Sequence, residues 1–323
     1  LEFANRDKVT LKKLLSKNDS ADRLCMVLGA SSALVDFLRR HPDEMVAFEK
    51  PVTALDDQTA MTERVRVALM PVLGTAITAK QANPDAPFDS ASCWNVIRKQ
   101  YRSELLRIAI CDVSSEAPTA VLPTIAAALS DAAGAVIEGA IDIARAELSY
   151  SREYGIFEAH EVSATNFTVI AMGKCGAREL NYISDVDVIY VAGPGNEEIE
   201  SARVIDIATK MANRMMRAID AVSTEPALWQ VDPNLRPEGK SGALVRTLES
   251  HIAYYERWAE GWEFQALLKA RPLAGHRGLG EEYVAALNPK VWTSAHRENF
   301  VENVQKMRTR VLEHIPADEV DRQ

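Results

Sequence analysis

Two aspartates spaced one residue apart, in Asp185-Val-Asp187, carry the sharpest chemical signal in the sequence. Around them, Asp-Val-Asp-Val-Ile-Tyr-Val over residues 185–191 alternates acid and apolar side chains and reads as a strand. Side chains two apart on a strand leave the same face, so the two carboxylates are expected side by side. Such neighbours repel unless a divalent cation lies between them, and Mg²⁺ suits the task because it takes carboxylate oxygens together with substrate phosphates. Upstream, the apolar run Phe167-Thr-Val-Ile-Ala-Met172 reads as a buried strand that enters the turn Gly173-Lys-Cys-Gly176. Gly173 and Gly176 let the backbone approach a ligand and offer amides to phosphate oxygens; Lys174 stands between them, and Ser184 adds a hydroxyl. A third carboxylate, Asp232, ends a strand expected over residues 228–232. The Pro/Gly-rich loop behind it supplies Arg236 and Lys240 as cations, with Gly239 and Gly242 leaving room for phosphate. Three acids around two Mg²⁺ ions would activate a nucleophile and stabilise an in-line displacement at phosphorus.

Taken singly these signals are weak: Asp-x-Asp on a strand is commonly a solvated polar edge, and Gly-x-x-Gly is weaker still. Together, the glycine turn, the Asp-x-Asp strand and a later Asp-bearing strand resemble the polymerase-β-like nucleotidyltransferase superfamily. Cys175, inside the turn, has nothing nearby in sequence to act as its base or as a second ligand, and reads as a small apolar filler. The four cysteines (Cys25, Cys93, Cys111, Cys175) lack any Cys-x-x-Cys pairing and are expected as reduced, mostly buried thiols without zinc. The six histidines (His41, His160, His251, His276, His296, His314) show no ligand or triad spacing and are expected on the surface or in loops.

The elements that must position these residues follow from periodicity. Residues 1–160 read as helix after helix: Leu24, Val27, Leu28, Leu34, Phe37 and Leu38 recur at helical spacing and stop at His41-Pro42. Residues 61–78 form a second apolar stretch that Pro71 and Gly74 are expected to kink or divide. Ser92 is the expected cap of a helix whose inner face is Trp94, Ile97, Tyr101, Leu105 and Ile108; Arg98, Lys99, Arg102 and Arg107 are expected on its solvated side, the alternative being that one or two of them reach a phosphate bound by the neighbouring domain. Residues 197–219 read as helical. After Leu248 the chain returns to helix, with Ile252, Tyr255, Trp258 and Trp262 on one face and Phe300, Val304, Met307 and Val311 on another. Core packing is the expected role of Tyr254, Tyr255, Trp258 and Trp262, with a partner-binding surface as the alternative. The resulting division is a helical segment over residues 1–112, a central unit over 113–247 and a helical segment over 248–323.

Composition narrows the function. Lys+Arg number 37 against 46 Asp+Glu, a net charge of −9 spread along both halves, which argues against a nucleic-acid grip built on clustered cations. Hydrophobic content of 47% with 26% charged residues fits a globular protein with a substantial core rather than a disordered one. The longest apolar stretch, residues 120–144, is broken by Asp131, Glu138 and Asp142 and reads as buried helix, not as a membrane span. A cytoplasmic protein without membrane partner is expected. The absence of an initiating methionine and the abrupt end at Gln323 suggest a piece of something longer.

Three motif blocks give the pattern a family. Gly173-Lys-Cys-Gly-Ala-Arg-Glu-Leu-Asn-Tyr-Ile-Ser-Asp-Val-Asp187, Val231-Asp-Pro-Asn-Leu-Arg-Pro-Glu-Gly-Lys-Ser-Gly242 and Trp262-Glu-Phe-Gln-Ala-Leu-Leu-Lys-Ala-Arg-Pro-Leu-Ala-Gly275, the last preceded by Tyr254-Tyr255, closely resemble the bifunctional glutamine synthetase adenylyltransferase/adenylyl-removing family. The similarity is strongest over about residues 167–275, and residues 24–42 resemble the family's leading helical segment. The resemblance implies an α+β fold, predominantly α: a polymerase-β-like nucleotidyltransferase core with a small mixed sheet, flanked by helical segments.

The family carries two related nucleotidyltransferase domains in tandem. One attaches AMP to a tyrosine of glutamine synthetase, and the other removes it by phosphorolysis, giving ADP. Glu179-Leu180-Asn181 resembles the adenylyl-removing domain more than the transferase domain. The resemblance thus implies Asp185, Asp187 and Asp232 as catalytic metal ligands, with Gly173, Lys174, Gly176, Ser184, Arg236 and Lys240 contacting nucleotide or phosphate. Glutamine synthetase, inorganic phosphate and ADP/ATP become expected partners, with a PII-type signalling protein as a further candidate. The forward transferase reaction and a non-catalytic nucleotide- or regulator-binding module are the competing readings; the second is disfavoured because all three acids are present. The family usually has arginine where this chain has Asn234 and Phe264, and leucine and glycine where it has Cys175 and Ala177. Loss of a cation at 234 is expected to alter phosphate handling, and Phe264 to change packing or contact with the target.

Overall fold

The computed structural model describes residues 8–151, 157–294, 301–302, 305–306 and 308–309. His296, His314 and the expected face Phe300, Val304, Met307 and Val311 lie outside the described residues. The architecture is α+β and mostly helical, with a small mixed sheet. Twelve α-helices are described within residues 8–294: α1 (Lys8–Leu15), α2 (Asn18–Ala30), α3 (Ser32–Arg40), α4 (Gln58–Ala82), α5 (Ser90–Val113), α6 (Pro118–Tyr150), α7 (Ala159–Ser163), α8 (Gly173–Gly176), α9 (Ser201–Asp220), α10 (Leu248–Arg257), α11 (Gly261–Leu267) and α12 (Arg277–Ser294). The strands are β1 (Thr165–Ala171), β2 (Val186–Pro194), β3 (Val231–Asp232), β4 (Val245–Arg246) and β5 (Arg271–Gly275). The chain forms two compact units. One comprises the chain up to Val162 with Arg178–Asp185 and Lys210–Gln230; the other comprises Ser163–Ala177, Val186–Thr209 and the chain from Val231 onward.

In the helical unit, α4, α5 and α6 pack on one another, and a second cluster joins Leu24, Val27, Leu34, Phe37, Leu38, Met45 and Phe48 to Leu106 and Ile110 of α5. Helix α4 runs unbroken through Pro71, contrary to the expected division: Asp57 caps its start, and Met61, Val65, Leu69, Leu73 and Ala76 bury one stripe, enough to offset the proline's missing donor. Helix α5 is capped by Asp89, which accepts from the Ser92 amide, rather than by Ser92. Helix α6 is long and apolar enough to cross a membrane by length and composition, yet most of its residues are buried within the fold.

The expected solvated face of α5 divides. Lys99 and Arg107 are partly exposed and pair with Asp43 and Asp56. Arg98 is fully buried and donates to the carbonyls of Ala218, Arg217 and Glu225 at 2.9, 3.3 and 3.0 Å. Arg102 donates to the Pro226 and Ala227 carbonyls, both at 2.9 Å. The last carbonyls of a helix lack intrahelical partners, and these arginines supply donors to the end of α9 and to the chain that follows. Beside them Glu225 holds Arg40 and His41, so its carboxyl sits below the ordinary carboxylate value despite the opposing effect of burial.

The sheet order is β3-β2-β1-β5, with β4 also pairing with β2. β1 lies antiparallel to β2 and β5, while β3 and β4 lie parallel to β2. Sequence patterning missed β4, which is two residues long, and β5, whose Pro272 is tolerated because the strand is an edge. The strand expected over residues 228–232 shrinks to Val231–Asp232, because the Leu228 amide bonds the Ile219 carbonyl at the end of α9 and Trp229 meets the edge of Tyr101. Helices α10, α11 and α12 close over β1 and β2 through Ile170, Met172, Ile189, Val191, Tyr255, Phe264, Leu267, Tyr283 and Leu287.

Two expectations about side chains change here. Tyr255 is buried and Tyr254 half-buried, but Trp258 and Trp262 are exposed, because α10 ends at Arg257 and the turn before α11 breaks the helical phase that placed them together. His251 is not on the surface: it is 1% exposed, edge-on to Tyr283 with ring centroids 5.1 Å apart. Among the cysteines, Cys93 and Cys175 are buried, Cys111 is intermediate and Cys25 is exposed.

Two measurements test this packing. Arg98→Leu removes the guanidinium's three hydrogen bonds, of whose acceptors the Arg217 carbonyl keeps the Ala221 amide, and should lower the unfolding free energy by about 3 kcal/mol in urea titration. His251 has its pKa lowered from 6.5 to about 3 by burial, helped by the charge of Arg246. Between those values the unfolded chain takes up a proton that the folded chain refuses, so stability falls as pH falls. The expected slope from this residue is about 1.4 kcal/mol per pH unit between about pH 6 and pH 4, and His251→Phe should flatten it.

Candidate functional site

The acidic group is built around β2. Asp187 is the second residue of that strand and lies opposite Asp232, its Cα partner in the parallel β2–β3 ladder. Asp185 immediately precedes the strand rather than belonging to it, and is exposed, while Asp187 and Asp232 are intermediate. Each of Asp185, Asp187 and Asp232 offers a carboxylate oxygen, and these oxygens all lie within 4.8 Å of one another. At that separation each like-charged pair costs about 1 kcal/mol in water-like surroundings, and more where solvent is thinned. All the donors are hard oxygens, with no thiol or imidazole in the group, which is the chemistry of a hard divalent cation.

The glycine turn sits against this group. After β1, Met172 donates its amide to the Asp187 carbonyl at 2.9 Å, so the start of the turn is tied to the strand bearing the acid. Gly173 has φ of +51°, and a Cβ there would collide with Asp187 Oδ2. Both facts demand glycine: the conformation disfavours an L side chain, and the carboxylate occupies the space one would need. Gly176 is required for another reason, since a Cβ would run into the carbonyls of Lys269 and Ala171. Its amide donates to the Met172 carbonyl at 2.8 Å, which makes its part in the turn structural. Lys174 is exposed, and Cys175 is buried beneath the turn.

Asp232 is oriented locally by the Asn234 amide, which donates to its Oδ1 at 2.8 Å. The loop that follows is held by Arg236, whose guanidinium donates to the carbonyls of Gly242, Pro233 and Lys240 at 3.1, 2.9 and 3.1 Å. Arg236 is only 9% exposed, and its burial lowers its pKa while Asp232 raises it. The expected phosphate cation is therefore the loop's internal clamp, and the exposed Lys240 is the cation this loop presents. Ser184 Oγ stands 3.5 Å from Asp185 Oδ1.

Arginines that sequence patterning gave no role also build the site. Arg271, on β5, donates to the carbonyls of Gly176 and Cys175 at 3.2 and 3.1 Å, bracing the far side of the turn. Arg246, on β4, pairs with Glu238 of the loop and lies over the ring of Tyr254, whose hydroxyl donates to Glu263 at 2.9 Å. Arg271 falls inside the third motif block, and that position was the available signal.

Comparison with known proteins meets this geometry. The family model described as glutamate-ammonia ligase adenylyltransferase matches residues 21–286. The chain belongs to this family. A relative from Leifsonia xyli subsp. xyli, named bifunctional glutamine synthetase adenylyltransferase/adenylyl-removing enzyme, is 49% identical over 92% of this chain and 28% of its own length. Relatives of the same name from Bifidobacterium longum and Streptomyces avermitilis are 43% and 44% identical over 100% and 97% of this chain, which covers 29% and 28% of theirs. The chain thus spans under a third of the length of these adenylyltransferase relatives.

Two departures from the adenylyltransferase pattern now have locations. Phe264 is 1% exposed and packs edge-on to Tyr255 with ring centroids 5.6 Å apart, which places it in the core. Asn234 contributes through its backbone, which fixes Asp232 whatever the side chain.

The two glycines should separate by experiment. Gly173→Ala should cost about 1 kcal/mol of stability through its left-handed backbone, and weaken divalent-cation binding by displacing Asp187. Gly176→Ala meets backbone on two sides and should cost roughly 3 kcal/mol. Urea denaturation with Mn²⁺ titration of both variants distinguishes the two effects.

Proposed function

We propose that this chain is the adenylyl-removing nucleotidyltransferase of its family, with a polymerase-β-like core that takes AMP from a tyrosine of glutamine synthetase by phosphorolysis. The convergence of Asp185, Asp187 and Asp232 within 4.8 Å carries the proposal, since this is the oxygen donor set that phosphoryl-transfer chemistry requires. These three residues would hold Mg²⁺, most simply two ions, which when bound would neutralise charge on the phosphoryl oxygens and on the leaving oxygen. Gly173 brings the backbone close to the bound nucleotide, and Lys174, Ser184 and Lys240 offer a cation, a hydroxyl and a second cation to phosphate oxygens.

An oxygen of inorganic phosphate forms a new bond to the AMP phosphorus in line as the phosphorus–tyrosine bond breaks. The products are ADP and a tyrosine whose oxygen takes up a proton. Hydrogen phosphate arrives already ionised, so the nucleophile needs no general base. The direction of the reaction rests on Glu179-Leu180-Asn181, which resembles the removing rather than the transferring half of the family. Phosphate, ADP/ATP and glutamine synthetase are the proposed partners, with a PII-type protein as a candidate regulator.

Product analysis decides the direction. With adenylylated glutamine synthetase, phosphate and Mg²⁺, the chain should release ADP, and Asp187→Asn should lower the rate about 10³-fold or more. Pyrophosphate release from ATP and unmodified glutamine synthetase, without ADP from the adenylylated protein, would instead assign the forward reaction.

A further inference from the structure

Helix α6 is apolar along most of its length, yet it buries Asp131, which is 4% exposed. A carboxylate placed there is costly unless a cation meets it. The cation is Arg178, two residues after the glycine turn, whose guanidinium pairs with Asp131. Arg178 has φ of +60°, a conformation that a non-glycine residue keeps only when its surroundings hold it. The next tie falls at Leu180, buried at 3% exposure, whose amide donates to Ser130 Oγ at 3.4 Å. A third falls at Tyr182, whose hydroxyl donates to Asp112 Oδ2 on α5 at 2.9 Å. Partial burial and the adjacent carboxylate push the Tyr182 phenol above its ordinary pKa, so it stays a donor across the working range of pH.

The ties recur at alternate residues, and the segment they hold ends in Asp185. From Tyr182 the chain has three residues, at most about 10 Å of extended backbone, in which to let Asp185 wander. Without them, the stretch between the glycine turn and β2 would be a long exposed connection leading into the outermost of the three acids.

We propose that Asp131, Arg178 and Tyr182 are positioning residues that set Asp185 for divalent-cation binding, an inference that rests on Asp185 being a metal ligand. They touch neither substrate nor cation, and act through the placement of the segment Arg178–Asp185. Ile183, 92% exposed, and Asp185 itself are left facing outward by this arrangement.

The test is Mn²⁺ titration of the 323-residue chain, following free Mn²⁺ by electron paramagnetic resonance, with urea denaturation run in parallel. Arg178→Gln leaves the buried Asp131 without its cation, so it should lower the urea midpoint, and under conditions where it remains folded it should bind Mn²⁺ about 10-fold more weakly. Arg178→Lys, which keeps the charge, should recover part of that affinity, and Tyr182→Phe should weaken binding by a smaller factor. The variant pair Asp131→Asn and Arg178→Gln, combined, should be no worse than either alone. Wild-type Mn²⁺ affinity in both Arg178→Gln and Tyr182→Phe would overturn the proposal, as would loss of stability with affinity unchanged. A wild-type chain that shows no Mn²⁺ binding sensitive to Asp187→Asn would instead remove the metal-site reading, and the positioning role with it.

Discussion

Three carboxylates with oxygens within 4.8 Å of one another are the constraint around which the rest of this protein is arranged. Such a group is uphill electrostatically, and each member is placed by a different device. Asp187 is held in the β2 ladder, where it lies opposite Asp232. Asp232 is aimed by its own loop through the Asn234 amide. Asp185 stands just outside the strand and depends on the segment that leads into it. A divalent cation among the three would turn their repulsion into attraction, which is what the proposed function draws on.

The backbone near the acids is shaped by the same requirement. At Gly173 the Asp187 carboxylate occupies the volume where a side chain would begin, so turn and acid are packed as a single object. Arg271 and Arg236 secure the two loops flanking that object by donating to backbone carbonyls, leaving Lys174 and Lys240 as the exposed cations. The common logic is that a guanidinium with several fixed donors suits the job of freezing a loop, whereas a mobile ammonium suits contact with a ligand. Arg98 follows it as well, buried against the end of α9.

Much of this was legible in the residues. The strands around Phe167–Met172 and Asp187, the helix α9 and the three acids all appear at or near their expected places, because alternation and helical spacing report which side of an element is buried. The errors cluster where a side chain's partner lies far along the chain. Arg98 and His251 were expected at the surface, since nothing local announces carbonyls 119 to 127 residues away or an aromatic lid. β4 was missed for lack of length, since two residues carry no period, while β3 appears as a shortened form of the strand expected over residues 228–232.

The sequence alone determined the chemistry available: which acids, which glycines, and a family resemblance strong enough to name a reaction class. Those are properties of residue type and spacing, which survive any uncertainty about packing. Tertiary structure alone decided which cations are committed and which are exposed, why Gly173 and Gly176 must each be glycine, and that Asp131, an interruption in an apolar helix, meets Arg178. Those outcomes depend on which groups meet across long stretches of chain, and burial makes the meeting matter: a charge or carbonyl removed from water has to find a partner, and only the folded chain settles which one it finds.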